Sequence, residues 1–123
     1  MTVVRVLLVD DQAPFLRAME AVVKETSGFE VAGEAGSGEE SVLVASAARP
    51  DLVLMDVNLP GIDGLEATRQ LRRLPSPPVV VLLSTYDDDA GARFMTECGA
   101  GAYVTKSAFG PDRLREVWIA ATD

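Results

Sequence analysis

The chain has no histidine among its 123 residues and a single cysteine, Cys98. Without histidine there is no Ser-His-Asp triad, no Cys-His pair, no histidine-ligated zinc and no phosphohistidine carried on this chain. One cysteine cannot close an intrachain disulfide, and nothing in the composition points to an oxidising compartment. Positive charge is also scarce: 11 Lys and Arg against 19 Asp and Glu leave a net charge of −8. A domain this acidic is a poor binder of duplex by itself, because phosphate contacts dominate that affinity. Long apolar runs are missing too. Stretches such as Val79 to Leu83 are far too short to span a membrane. The run from Val3 to Val9 is interrupted by Arg5, stops at Asp10-Asp11 and lacks a small-residue cleavage site, so it does not read as a signal peptide.

What is present is a composition of globular type, 48% hydrophobic and 24% charged. The length predicts one domain over 1–123, large enough to bury a core without disulfides or a structural metal. There is no repeat, linker or low-complexity tract. Instead, short apolar runs alternate with helical patterns five times. Val3–Val9 reads as a strand buried on both faces, followed by a helix with Pro14 in its first turn and Phe15, Met19, Val22 and Val23 on one face, ended by Gly28. Phe29–Ala32 reads as a shorter strand. Ser37 and Glu40 then form a capping-box pattern, and Arg49-Pro50 stops that helix. Leu52–Met55 is the third strand, ending at Asp56. A turn over 59–64 leads to a helix with Leu65, Thr68 and Leu71 on one face. Val79–Leu83, the most hydrophobic run, is expected to be the central strand. Asp87, Asp88 and Asp89 suit a helix start, with Phe94, Met95 and Cys98 facing inward and Gly99 as its cap. Ala102–Thr105 is the fifth strand. Gly110-Pro111 opens a last helix with Leu114, Val117, Trp118 and Ala121 inward. Five strands alternating with five helices predict an α/β fold: a five-stranded parallel sheet, doubly wound, with helices on both faces and right-handed crossovers. Ligands of such open sheets bind at the carboxyl ends of the strands.

The polar residues at those ends are Asp10 and Asp11 after the first strand, Asp56 after the third, Ser84 with Thr85 after the fourth, and Lys106 after the fifth. Any one of them is what a loop start often carries; three acids, a hydroxyl and a lysine together are not. Two carboxylates about 4 Å apart repel by roughly 4 kcal/mol at an effective dielectric near 20. Domains are stable by only about 5–15 kcal/mol, so three converging acids call for cations. Lys106 supplies one. Hard oxygen ligands, with no histidine available, suit Mg²⁺ or Mn²⁺ rather than zinc. A carboxylate is ionised without a base and can accept a phosphoryl group, a reaction that needs chiefly positioning and charge neutralisation.

Taken in order, Val9-Asp10-Asp11, Leu54-Met55-Asp56, Leu59-Pro60-Gly61-Ile62-Asp63-Gly64, Leu83-Ser84 and Ala102-Tyr103-Val104-Thr105-Lys106 carry a resemblance over nearly the whole chain. The chain resembles the CheY-like receiver domains of two-component response regulators. That resemblance implies the strand order 2-1-3-4-5 of the flavodoxin-like sheet. It implies Asp56 as phosphoacceptor, Asp10, Asp11 and Asp56 with the Asn58 backbone carbonyl as ligands of Mg²⁺ (Mn²⁺ as substitute), Ser84 as the hydroxyl that bonds the phosphoryl group, Lys106 as its pairing cation, and Tyr103 as an aromatic switch that turns inward as Ser84 moves. Tyr103 read without the family is equally a packed aromatic on an edge strand. The resemblance also implies that Asn58 and Tyr86 fall at positions that, in the family, tune the lifetime of the phosphorylated state. Ser107 stands where many receivers have proline, which disfavours a cis peptide after Lys106.

Gly36-Ser37-Gly38-Glu39-Glu40, Leu83-Ser84-Thr85-Tyr86-Asp87 and Gly99-Ala100-Gly101-Ala102-Tyr103 resemble receivers that precede a LuxR/NarL-type helix-turn-helix domain. The family implies a cytoplasmic signalling switch rather than a turnover enzyme. Its partners are a sensor histidine kinase and a second copy on phosphorylation. DNA is reached only through an output domain this chain does not contain, and no membrane is involved. A free-standing receiver and a pseudo-receiver acting without phosphorylation are the alternatives; loss of Asp11, Asp56 or Lys106 would have favoured the latter. A phosphatase-like hydrolase would turn over phosphate esters steadily. Gly33, Gly36 and Gly38 run G-x-x-G-x-G, the wrong order for a dinucleotide turn, and Asp87–Asp89 lack the glycine and distal glutamate of a calcium loop.

Overall fold

The computed structural model describes residues 2–85, 93 and 95–122. Its strands are β1 (Val4–Val9), β2 (Phe29–Ala35), β3 (Leu52–Asp56), β4 (Val79–Ser84) and β5 (Ala102–Thr105). Its helices are α1 (Ala13–Glu25), α2 (Gly38–Ala48), α3 (Gly64–Arg72) and α4 (Pro111–Thr122), with a 3₁₀ turn at Lys106–Ala108 and helical backbone at 95–98. All four strand pairs are parallel, and the order is β2-β1-β3-β4-β5.

The middle place belongs to β3, not to the more hydrophobic β4, which lies between β3 and β5. All five residues of β3 are buried. A strand covered on both faces needs apolar residues at every position, and that requirement is met by β3 and β4 alike, so hydrophobicity alone could not rank them. One face of the sheet packs Val53, Met55, Val80, Leu82 and Tyr103 against Ala45 of α2 and Ala67 and Leu71 of α3. The other packs Val6, Leu8, Leu54 and Leu83 against Met19 and Val23 of α1 and Leu114 and Val117 of α4. Truncating any of these buried leucines to alanine would cost about 2–5 kcal/mol. Trp118 is half-buried and meets Phe29 edge-on, ring centroids 6.4 Å apart.

Local signals hold with small displacements. Pro14 sits in the first turn of α1, but the helix stops at Glu25, capped by Thr26, whose hydroxyl donates to the Val22 carbonyl; Gly28 turns the chain afterwards with φ +89°. Strand β2 runs three residues beyond Ala32, because Gly33, Glu34 and Ala35 pair with Leu7, Leu8 and Val9 past a bulge. A polar residue survives there because Arg17 of α1 holds both Glu34 oxygens at 2.6 Å. Ser37 caps α2 by accepting from the Glu40 N–H, and Glu40 in turn accepts from the Gly36 N–H. Gly99 has φ +81° and donates to the Met95 carbonyl, ending the helical backbone at 95–98. Tyr86, Asp87–Asp89 and Phe94 lie outside the described residues. The bond between Lys106 and Ser107 is trans, as are the others among the described residues. Among the described residues no helix is long and apolar enough to cross a membrane.

Candidate functional site

The site grows from two neighbouring strands that end level. Val9 of β1 pairs with Met55 of β3, so the next residues, Asp10 and Asp56, stand abreast at the carboxyl edge. Each acid closes a turn on itself. Asp10 Oδ1 accepts the Gln12 N–H at 2.9 Å, and Asp56 Oδ1 accepts the Asn58 N–H at 3.3 Å. This is the short-range bonding that suits aspartate to a strand end, and here it aims both carboxylates the same way. Asp10 is fully buried, Asp56 is buried, and Asp11 is exposed; one oxygen from each of the three falls within 4.8 Å of the others.

Lys106, the first residue after β5, reaches into this group. Its Nζ lies 3.0 Å from Asp10 Oδ2 and 3.5 Å from Asp56 Oδ1. Its side chain is 15% exposed, so the pair is largely shielded from the solvent that weakens surface ion pairs. Burial pushes the Asp56 carboxyl up to about 6, and the neighbouring Asp10 charge adds to the rise; the Lys106 charge and the Asn58 N–H pull the other way. At neutral pH Asp56 is therefore mainly ionised. The donors are carboxylate oxygens with no soft ligand among them, a set that fits a hard divalent ion.

The remaining sequence-predicted residues frame this centre. Ser84 ends β4, fully buried, beside Thr105 and one residue past Leu83, the partner of Asp56. Tyr103 pairs with Leu82 and lies inward, in the cluster with Val80 and Cys98. Asn58 is exposed on the loop that follows Asp56.

Three contributors escaped the sequence reading. Gly64 opens α3 so close behind β3 that a Cβ there would collide with the Asp56 carbonyl oxygen. Its place at the end of a turn-rich stretch signalled a bend, not a contact. Glu39 of α2 accepts the Ile62 N–H at 3.2 Å and fixes the loop carrying Asn58; Gly61 in that loop has φ +74°. Phe15, read as part of an apolar helix face, is only half-buried and places its ring 3.7 Å from Lys106 Nζ.

A family profile described as the response regulator receiver domain matches residues 6–118. The response regulator GacA of Pseudomonas viridiflava is 41% identical over 105 residues, covering 85% of this chain and 49% of GacA. The crystal structure of a LuxR-family two-component response regulator from Aurantimonas sp. SI85-9A1 superposes with a TM-score of 0.87 at 28% identity, covering 98% of this chain and 86% of that one. The receiver domain of the putative response regulator NarL from Mycobacterium tuberculosis gives 0.88 at 26% identity, over 99% and 98% of the two chains. The chain spans about half the length of the curated relatives it matches.

Proposed function

The chain belongs to the response regulator receiver family, and on that premise we propose that it is a two-component switch whose Asp56 accepts a phosphoryl group from a sensor histidine kinase. The observation that carries this reading is the meeting of Asp10, Asp11, Asp56 and Lys106 in one pit.

An Asp56 carboxylate oxygen attacks the phosphorus of the kinase's phosphohistidine. The oxygen–phosphorus bond forms, the phosphorus–nitrogen bond breaks, and the imidazole nitrogen leaves with the electron pair. Asp56 is ionised for this at neutral pH and needs no base. Lys106, already beside Asp56, faces the negative charge of the transferring oxygens. Mg²⁺, or Mn²⁺ in its place, would be held by Asp10, Asp11, Asp56 and the Asn58 carbonyl. When bound it supplies the positive charge that neutralises the phosphoryl oxygens. The Ser84 hydroxyl donates to the aspartyl-phosphate, whose charge near neutral pH is about two negative units by analogy with phosphoserine. Tyr103, inward in this structure, is the aromatic whose position follows Ser84. Two states a few kcal/mol apart can be rebalanced by one such charge. The readout is pairing of two copies, or control of transcription through a LuxR-type helix-turn-helix domain outside this chain, in the cytoplasm.

Acetyl phosphate with Mg²⁺, followed by intact-mass analysis, tests the acceptor. Wild type should gain one phosphoryl group and Asp56→Asn none. Equal labelling overturns the assignment, and steady release of phosphate from small esters would favour a hydrolase.

A further inference from the structure

An ammonium has three N–H donors. Around Lys106 Nζ, Asp10 stands at 3.0 Å, Asp56 at 3.5 Å, and the Phe15 ring covers it with the centroid at 3.7 Å. That distance is well inside the range over which an aromatic face attracts a cation. We infer that Phe15 is a positioning residue of this site, its ring face holding the Lys106 ammonium between the two buried acids. The inference rests on the phosphoacceptor reading above.

The backbone ties the ring to the site. Gln12 donates its N–H to Asp10 Oδ1, and its carbonyl accepts the Phe15 N–H at 3.1 Å, so one turn sets both Asp10 and the ring. Without the ring, a charge on a flexible four-carbon stem would rehydrate and swing outward. With it, the charge waits where the phosphoryl oxygens arrive, which is the preorganisation that speeds transfer. Plain core packing does not account for Phe15. The fully covered positions of α1 are Met19 and Val23, whereas Phe15 is half-buried and borders a cavity of about 70 Å³ shared with Met19, Val22 and Phe109. Leucine would serve packing as well as phenylalanine; only an aromatic serves the cation. The cavity also leaves room for a larger ring.

The test compares Phe15→Leu, Phe15→Ala, Phe15→Tyr and Phe15→Trp in the full chain. Labelling by acetyl phosphate at saturating Mg²⁺ gives the rate at saturation and the half-saturating concentration separately. The leucine and alanine variants should lose about five-fold in the saturated rate, with half-saturation unchanged, and the tyrosine and tryptophan variants should stay within about two-fold of wild type. NMR of the metal-free protein supplies an independent signature. The Lys106 ε-methylene protons should be shifted upfield by the ring in wild type and in the tyrosine and tryptophan variants, and return to ordinary positions in Phe15→Leu. A leucine variant labelled at the wild-type rate overturns the inference, as does a tyrosine variant as slow as leucine. Asp56→Asn runs alongside. Its labelling would overturn the acceptor reading and Phe15's role with it, whereas an unlabelled Asp56→Asn beside a fast Phe15→Leu overturns the role of Phe15 alone.

Discussion

Asp10 and Asp56 end adjacent parallel strands in the same manner, each carboxylate accepting the main-chain N–H two residues ahead. The repetition brings like charges together in a buried place, so it weighs against stability unless a cation is near. Lys106 is that cation within the chain.

Removing one of the two charges should therefore stabilise the metal-free protein. The Asp56 carboxyl lies at about 6 when folded, above its ordinary 3.8. Well below pH 3.8 it is protonated folded or unfolded and the burial penalty is absent. The penalty grows as pH rises through 3.8 towards 6, and is complete well above pH 6. Asp56→Asn should exceed wild type by about 1–2 kcal/mol at pH 7, once water at the mouth of the site is allowed for, and by only about a few tenths of a kcal/mol at pH 4. Urea melts at the two pH values in EDTA check this; an equal gain at both would show that charge is not the cause.

Asp11 should behave differently, because it is exposed. Asp11→Asn should leave the metal-free unfolding free energy within about 0.5 kcal/mol of wild type. Mg²⁺ at a hundred times its dissociation constant should stabilise wild type by about 2.7 kcal/mol. The variant should show a clearly smaller gain at the same concentration. Beryllofluoride, followed by ¹⁹F NMR, should bind wild type only with Mg²⁺ and leave on adding EDTA.

Gly64→Ala should be among the costliest small changes, since the new methyl would strike the Asp56 carbonyl and the backbone of Val57. A loss of about 1–3 kcal/mol or more is expected from denaturant melts. Gly110→Ala is the control, because a Cβ there meets nothing within 4 Å.

Cys98 is buried, and burial pushes its thiol above its ordinary 9.0. At pH 8 the folded chain should react with Ellman's reagent far more slowly than the chain in denaturant. Equal rates would mean that the helical stretch at 95–98 opens readily.

Strand positions and their parallel arrangement were legible because buried parallel strands leave unbroken apolar runs, and the acids and the lysine stood out where those runs stop. The last three residues of β2 were not, since a glycine and a glutamate look like a loop until Arg17 is seen to neutralise the acid. Nor could hydrophobicity show that β3 rather than β4 holds the middle. Phe15, Glu39 and Gly64 were hidden for one reason: each acts through a contact with another residue (Lys106, Ile62 and Asp56), and periodicity reports which face a side chain is on, not what it touches.

The bond between Lys106 and Asp10 joins positions 96 apart. A nascent chain leaving the ribosome thus carries all three acids long before their counter-charge exists. Docking of β1 against β3 brings Asp10 and Asp56 together unopposed until β5 and Lys106 emerge. A chain cut short before Lys106 would hold Asp10 and Asp56 side by side with no ammonium between them.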